Sequence, residues 1–420
     1  MVDCLIIGGG AAGCYAAITA AQRGLDVLIC EHNPRGELGK KLKITGKGRC
    51  NVTNDCDLDA LLANIPRNGR FLYSAFSNCM PQDVMAFFED LGVELKVERG
   101  NRVFPVSDSA GEIVNALIAK CRSLGVKTEH CHVTALRIDE TGACVGVNTD
   151  SGEIMAKTVI LAAGGMSYPA TGSDGSGFLI AEQAGHQVAA PMPSLVPLIC
   201  TETDCADMMG LSLKNVTLSL FDTQKKNRCC YSELGEMLFT HFGVSGPLVL
   251  SASAHIERPD AGRYTLAIDL KPGLTPEQLD ARIQRDFAGA QNRVLGNALG
   301  KLLPRAIILP TITRAGLDPE LRVNSVTREQ RHALGETIKR FELHVKGFRP
   351  VSEAIVTRGG VHVREVQPKT MESKLIPNLY FAGEVLDVDA YTGGFNLQIA
   401  FATAFAAGNA AADSISWEDA

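Results

Sequence analysis

Gly8, Gly10 and Gly13 in the stretch IIGGGAAGC have the spacing GxGxxG, and Glu31 follows Gly13 by eighteen residues. The chemistry that this spacing serves is the holding of a dinucleotide pyrophosphate. The first glycine permits a tight turn, the second lets the backbone approach the phosphates, and the third lets helix and strand pack closely. Amides at the helix N-terminus then face the phosphates. Glu31 is placed to accept hydrogen bonds from a ribose 2′-hydroxyl and to disfavour a 2′-phosphate. Between Arg35 and Arg49 lie six basic residues against one acid, interleaved with glycines. This stretch reads either as a loop closing over the cofactor, with GKGRCN supplying backbone amides and Arg49 a charge, or as a solvated basic loop.

Such residues need a strand, a turn, a helix and a second strand to position them. The first thirty residues supply these: a β-branched run, the glycine turn, an alanine-rich helical stretch stopped at Gly24, and an apolar run ending in Glu31. Helical patterns around Pro81 to Leu91 and Ala110 to Leu124 alternate with strand-like CHVTALRI at 131 to 138 and TVILAAGG at 158 to 165. Strands alternating with helices indicate an α/β fold with a parallel sheet. After Pro191, short alternating runs such as VTLSLF and YTLAID predict a β-rich insertion. Thr275-Pro276-Glu277-Gln278 and Thr327-Arg328-Glu329-Gln330 read as capping boxes that open helices, with apolar positions at Leu279, Ile283 and Phe287, and at Leu334 and Ile338. The final segment from about 375 returns to nucleotide-fold texture. The chain is therefore expected to form a discontinuous nucleotide-binding domain over 1–190 and 351–420. A β-rich domain over 191–274 and 340–350 and a small helical domain over 275–339 are expected to interrupt it.

Composition bounds the function classes. A chain of 420 residues exceeds one ordinary core. With 45% hydrophobic and 21% charged residues, and 41 Gly and 18 Pro without a period, it is globular and neither collagen-like nor low in complexity. A net charge of −6 argues against nucleic-acid binding over the whole surface and leaves a local basic patch open. Residues 271–364 carry 16 Lys plus Arg against 9 Asp plus Glu, a local +7 where the rest of the chain carries −13. That surplus reads either as a face for a phosphate backbone or as basic residues alternating with acids on a wet surface. Thirteen cysteines are odd in number, with no CxxC and no Cys/His pairing at metal spacing. Reduced thiols in a cytoplasmic protein, and no metal, are expected. The N-terminal run carries Asp3 and three consecutive glycines, so it reads as a strand entering a turn rather than a signal peptide. The uncharged run Tyr391 to Ala412 contains Gly393, Gly394, Asn396 and Gln398 and reads as a buried helix, not a membrane span.

IIGGGAAG at the start, TGKGRCNVTN at 45 to 54, FTHFGVSGP at 239 to 247, TRGGV at 357 to 361 and YFAGEVLDVDAYTGGFNLQIAFATA at 380 to 404 together resemble the BaiN-like (YhiN) family of FAD-dependent oxidoreductases. The likeness spans essentially the whole chain, and GRCNVTN and TGGFNLQ are its most diagnostic segments. The resemblance implies an FAD-binding domain of the two-dinucleotide-binding-domain type, Rossmann-like and discontinuous, with inserted β-barrel-like and small helical domains. It implies bound FAD with Gly8, Gly10, Ala12, Glu31, Lys40, Val133, Gly383, Glu384, Asp387, Gly394 and Asn396 as contacts by position. Gly13, Gly48, Arg49, Asn51, Gly164, Phe395 and Leu397 complete the expected cofactor set. Glu384 or Asp387 would hold the ribityl chain. Amides after Gly393 would face the flavin, where a positive helix end stabilises negative charge. No second GxGxxG unit lies between 150 and 350, so NADH or NADPH is expected to bind transiently rather than in a Rossmann domain of its own.

Reducing a C=C bond also needs an acid to protonate the carbon that receives no hydride. Cys50 in GRCN is the first candidate, His241 in THFG and Tyr391 before TGGFN the others. The alternatives are a packed thiol for Cys50 and a satisfied interior histidine for His241. Arg358 and Arg364 are candidates for holding an anionic substrate. Three activities follow from the resemblance: NAD(P)H-linked reduction of an activated C=C bond in an enone-type small molecule such as a 3-oxo bile acid, reduction of uridine to dihydrouridine in ribosomal RNA, and oxidation of a small amine such as aminoacetone by O2. A flavoprotein scaffold without its own substrate is the non-enzymatic alternative.

Overall fold

β1 (Val2–Ile7) is apolar and buried from Cys4 onward, so it must lie inside a sheet. The chain then turns through the glycines into α1 (Ala11–Gln22) and returns along β2 (Val27–Glu31), which pairs in parallel with β1 at Leu5↔Leu28 and Ile6↔Ile29. The computed structural model describes residues 1–34 and 37–418. Arg35, the first residue of the basic loop, lies outside the described residues.

The parallel strands run in the order Lys127–His130, β2, β1, Gly152–Leu161, Leu379–Phe381. Cys144–Thr149 and Val133–Ile138 extend the sheet as an antiparallel meander beside Gly152–Leu161. Leu379–Phe381 thus brings the C-terminal chain into the N-terminal sheet. It feeds the long helix Phe395–Glu418, which packs on α1. A Cβ on Gly408 would lie 2.9 Å from the Ala16 carbonyl oxygen and 2.9 Å from Thr19 Cβ, so the small residues allow the two helices to approach closely. Both helices are rich in alanine, and α1 is buried from Ala12 through Ala20.

The chain forms two compact units, Met1–Ser194 with Val351–Ala420, and Leu195–Pro350. In the second, six strands close an antiparallel barrel in the order Leu198–Cys200, Gly243–Ser245, Arg228–Thr240, Ser212–Asp222, Tyr264–Asp269, Phe341–Phe348. Along Ser212–Asp222 the buried positions Val216, Leu218 and Leu220 alternate with less buried ones, the period of a strand with one face inward. Helices Pro276–Ala288 and Arg328–Lys339 begin at the capping boxes expected of Thr275 and Thr327. Each threonine hydroxyl accepts the amide of the glutamine three residues on, at 3.2 Å in both cases. Their apolar faces, Leu279 and Ile283, and Leu334 and Ile338, share one core with Leu266 and Phe341 of the barrel. Helices and barrel therefore make up one unit here. No helix among the described residues is long and apolar enough to cross a membrane.

Candidate functional site

The glycine turn between β1 and α1 is shaped by three distinct demands. Gly8 has φ +98°, and a Cβ there would lie 2.7 Å from the Ala162 carbonyl oxygen. A Cβ on Gly13 would lie 1.8 Å from the Gly8 carbonyl oxygen, so the helix can approach the turn only with glycine at that position. Gly10 has nothing within 4 Å of such an atom. It is the N-cap of α1, and no side chain caps it. The first amides of a helix lack intrahelical acceptors, and here they begin at Gly10, where the backbone borders open space.

Glu31 ends β2 beside this space. One carboxylate oxygen accepts the Gly9 amide at 2.8 Å and the other the Asn33 amide at 2.8 Å. Its orientation is fixed before any ribose arrives. The His32 and His132 rings meet edge to face at 5.6 Å close by, and Val133 is buried at the start of its strand. Gly164, with φ +76°, lies at the end of the neighbouring strand, where a Cβ would approach Ser173 Oγ to 2.9 Å.

The structure brings GRCNVTN and TGGFNLQ together although they lie more than three hundred residues apart. Thr53 Oγ1 donates to Gln398 Oε1 at 2.7 Å, and Asn54 Nδ2 donates to the Gly393 carbonyl at 2.9 Å. A Cβ on Gly394 would sit 2.3 Å from the Thr53 carbonyl carbon. Gly383 makes a matching approach to the first helix, where its Cβ would lie 2.8 Å from Ala12 Cβ. Phe395 is buried and Leu397 half-buried at the start of the last helix. Asn51 Oδ1 is buried and lacks a hydrogen-bond partner among the described residues. An open glycine cradle, uncapped helix amides and an orphaned amide oxygen together fit a dinucleotide flavin.

Several expected contacts are arranged differently from their expectation. Lys40 makes no side-chain hydrogen bond or ion pair among the described residues, whereas its neighbour Lys41 donates to Ser167 Oγ at 2.6 Å and Glu384 Oε2 at 2.7 Å. The other oxygen of Glu384 accepts the Thr357 amide at 2.8 Å. Lys41, Ser167 and Thr357 were not singled out by sequence, because their roles arise from partners up to 343 residues away. Arg49 stacks over Phe104 at 4.1 Å and bonds Glu98 and Asp108, so its charge is matched by two carboxylates rather than turned to a phosphate. Gly48, one residue earlier, is exposed with φ +83°. The Asn396 side chain bonds both the amide and carbonyl of Ala390, at 3.0 and 2.9 Å, so it braces its own loop. Burial raises the Asp387 carboxyl above its ordinary range, opposed by the charge of Arg67 and a hydrogen bond from Asn68.

The three candidate acids fall in different environments. Cys50 is fully buried, with φ +57° and a thiol pushed up to about 12 by burial. Tyr391 is partly exposed on the loop before Gly393, its amide bonded to the Asn64 carbonyl at 3.0 Å. His241 belongs to the second unit, in the turn between two barrel strands, where it is exposed and meets Phe242 edge-on at 5.0 Å. It is not an interior histidine. Arg358 is buried within its strand, while Arg364 is exposed. Among the described residues, no group of three or more His, Cys, Asp or Glu side chains is placed to hold a metal.

The model of the HI0933-like protein Rossmann domain matches residues 2–410. The chain belongs to the HI0933-like family. It is an FAD-dependent oxidoreductase built on a Rossmann-like domain. Among curated relatives of this HI0933-like chain, the 3-dehydro-bile acid Δ(4,6)-reductase of Clostridium scindens is 32% identical over 97% of this chain and 98% of its own length. The ribosomal RNA dihydrouridine synthase of Haemophilus influenzae is 31% identical over 96% of both chains. Solved structures share the fold. The 3-ketosteroid Δ1-dehydrogenase of Sterolibacterium denitrificans has a TM-score of 0.51 at 13% identity, covering 98% of this chain and 99% of that one. The Escherichia coli quinol fumarate reductase FrdA has a TM-score of 0.52 at 14% identity, covering 99% of this chain and 70% of that one.

Proposed function

We propose that this protein reduces a carbon–carbon double bond conjugated to a carbonyl in an enone-type small molecule, with NADH or NADPH as a transiently bound donor. The observation that carries the reading is the end-to-end likeness to a reductase of 3-dehydro-bile acids, on a chain whose glycine cradle is shaped for FAD. Bound FAD supplies the transfer of a hydride equivalent from donor to substrate. The remaining work belongs to the protein. Gly8, Gly10, Ala12 and Gly13 would admit the pyrophosphate, Glu31 would hold the adenosine ribose, and Glu384 or Asp387 would hold the ribityl chain. Amides at the start of Phe395–Glu418 would face the flavin, where a positive helix end would stabilise negative charge.

The proton for the second carbon comes from Tyr391, ahead of Cys50. Tyr391 sits on a partly exposed loop, where its phenol can exchange a proton with solvent, whereas the Cys50 thiol is sealed in the core. Tyr391→Phe should lower turnover by about a hundredfold, within the range for losing a general acid. Cys50→Ala should leave turnover unchanged when FAD is retained. The reverse pattern would return the role to Cys50.

The second reading is reduction of uridine in ribosomal RNA, which also saturates a C=C bond conjugated to a carbonyl. It is favoured by the 31% identity to the Haemophilus influenzae synthase and by the +7 over residues 271–364. Several of those cations are already matched: Arg331 with Asp280, Arg282 with Asp286, Lys339 with Asp269. Anaerobic reduction of the flavoprotein followed by mixing with an enone, with RNA lacking dihydrouridine, or with O2 separates the readings. Rapid reoxidation by the enone is expected. Reoxidation by RNA with dihydrouridine formed would move the assignment, and reoxidation by O2 alone would make the protein an oxidase. Thirteen free cysteines support placing the protein in a reducing cytoplasm.

A further inference from the structure

Residues 64–68 form a strap along the loop that leads into the last helix. The Asn64 carbonyl accepts the Tyr391 amide at 3.0 Å. Arg67 Nη2 donates to both oxygens of Asp389, at 2.6 and 2.7 Å, and Asp389 is almost fully buried. Ser194 Oγ, also fully buried, donates to the same carboxylate at 2.7 Å. Asn68 takes the left-handed conformation, φ +56°, and its Nδ2 donates to the Asp387 carbonyl at 2.7 Å and carboxylate at 3.1 Å. Three successive odd positions of the loop, 387, 389 and 391, are thus each fastened to the strap.

We infer that Arg67 and Asn68 are positioning residues for the flavin, acting through Asp389 and Asp387 to fix the 387–396 loop in the shape that receives the ribityl chain and isoalloxazine. The inference rests on the cofactor reading above. A buried carboxylate is held only when paired, and Arg67 supplies the pairing from the opposite strand of chain. Inside the loop, Asn396 closes Ala390 and Tyr391 onto the helix start. The strap fixes the outer side of the loop and Asn396 the inner side. Arg67 also stands near Asp387, whose charge is further influenced by Asn68, Asp389 and His362. Removing Arg67 takes away a cation that opposes the burial-driven rise of the Asp387 carboxyl, a second effect that a purely structural contact would not have.

The test is FAD binding to the apoprotein, followed by flavin fluorescence from pH 5 to 8, for wild type, Arg67→Ala, Arg67→Lys and Asn68→Ala. Arg67→Ala should weaken FAD at least tenfold and move the pH at which affinity falls upward. Because one nitrogen makes both contacts to Asp389, Arg67→Lys can replace them and should return affinity to within about threefold. Asn68→Ala buries no unpaired charge and covers the case in which Arg67→Ala fails to fold; it should weaken FAD several-fold. Folded Arg67→Ala or Asn68→Ala protein with wild-type affinity and pH profile would overturn the strap while leaving the cofactor reading intact. Wild-type protein that binds no FAD would overturn both.

Discussion

Gly10 and Gly13 sit three residues apart and should fail in opposite ways when given a side chain. The Gly10 backbone has an ordinary φ of −78° and opens onto free space, so Gly10→Val should leave folding within about 0.5 kcal/mol of wild type, as for surface changes that touch nothing. The added methyls would occupy the pyrophosphate position, and FAD affinity should fall more than tenfold. Gly13→Ala meets the Gly8 carbonyl and should cost the fold itself about 1–3 kcal/mol, the usual range for overpacking. Urea denaturation of the apoproteins beside FAD titration separates the two. Equal loss of stability in both variants would contradict the assignment of Gly10 to the ligand. At this scale the geometry of the GxGxxG turn and its place beside Glu31 were legible, because both depend on neighbours within one βαβ unit. Lys41, Ser194 and Asp389 were not. Their function is created by partners from distant segments, and a lysine beside another lysine carries no signal of which one turns inward.

Among the elements, the segment between Val356–Val361 and Leu379–Phe381 is pinned by a row of three side chains. His186 Nδ1 lies 3.2 Å from Glu365 Oε2, and its Nε2 lies 3.0 Å from Ser373 Oγ. Ser373 Oγ already accepts the amides of Leu375 and Ile376, at 3.0 and 2.9 Å, so its proton is donated to His186 and its lone pairs are engaged. The row looks like a nucleophile triad and functions as a brace. Burial lowers the His186 value below its ordinary 6.5, with Glu365 opposing. Above about 6.5 neither the folded nor the unfolded chain carries this proton. As pH falls below that value the unfolded chain protonates first, so stability drops until pH reaches the folded value. Urea midpoints measured from pH 8 to 5 should decline, and His186→Gln should flatten the decline. An unaltered slope in that variant would contradict the brace. Strand alternation made the β-rich insertion readable, and the Thr275 and Thr327 boxes located their helices to the residue. Closure of the six strands into a barrel was implied by the family resemblance and not by the alternation itself, which does not say which distant edges pair. The single core joining Leu334 and Ile338 to Leu266 was not readable.

At the scale of the whole molecule, the C-terminal chain returns into the N-terminal sheet. Leu379–Phe381 pairs beside Gly152–Leu161, and this brings Gly383 against Ala12 at the start of the first helix and Gly394 against Thr53. Texture at the two ends of the sequence pointed to one discontinuous domain, because both read as apolar strands entering glycine turns. The contacts that complete it, Thr53 to Gln398 and Asn54 to Gly393, required the folded chain. Saturation of a C=C bond next to a carbonyl by this protein is read most plainly from the product. The purified flavoprotein would be incubated anaerobically with NADPH and a 3-oxo-4,6-diene steroid, and the product read by mass spectrometry and proton NMR. Expected are a mass gain of two hydrogens per bond reduced, loss of vinylic protons and an intact ketone. A product reduced at the carbonyl, or unchanged dienone beside an enzyme that does turn over with RNA or O2, would contradict this activity.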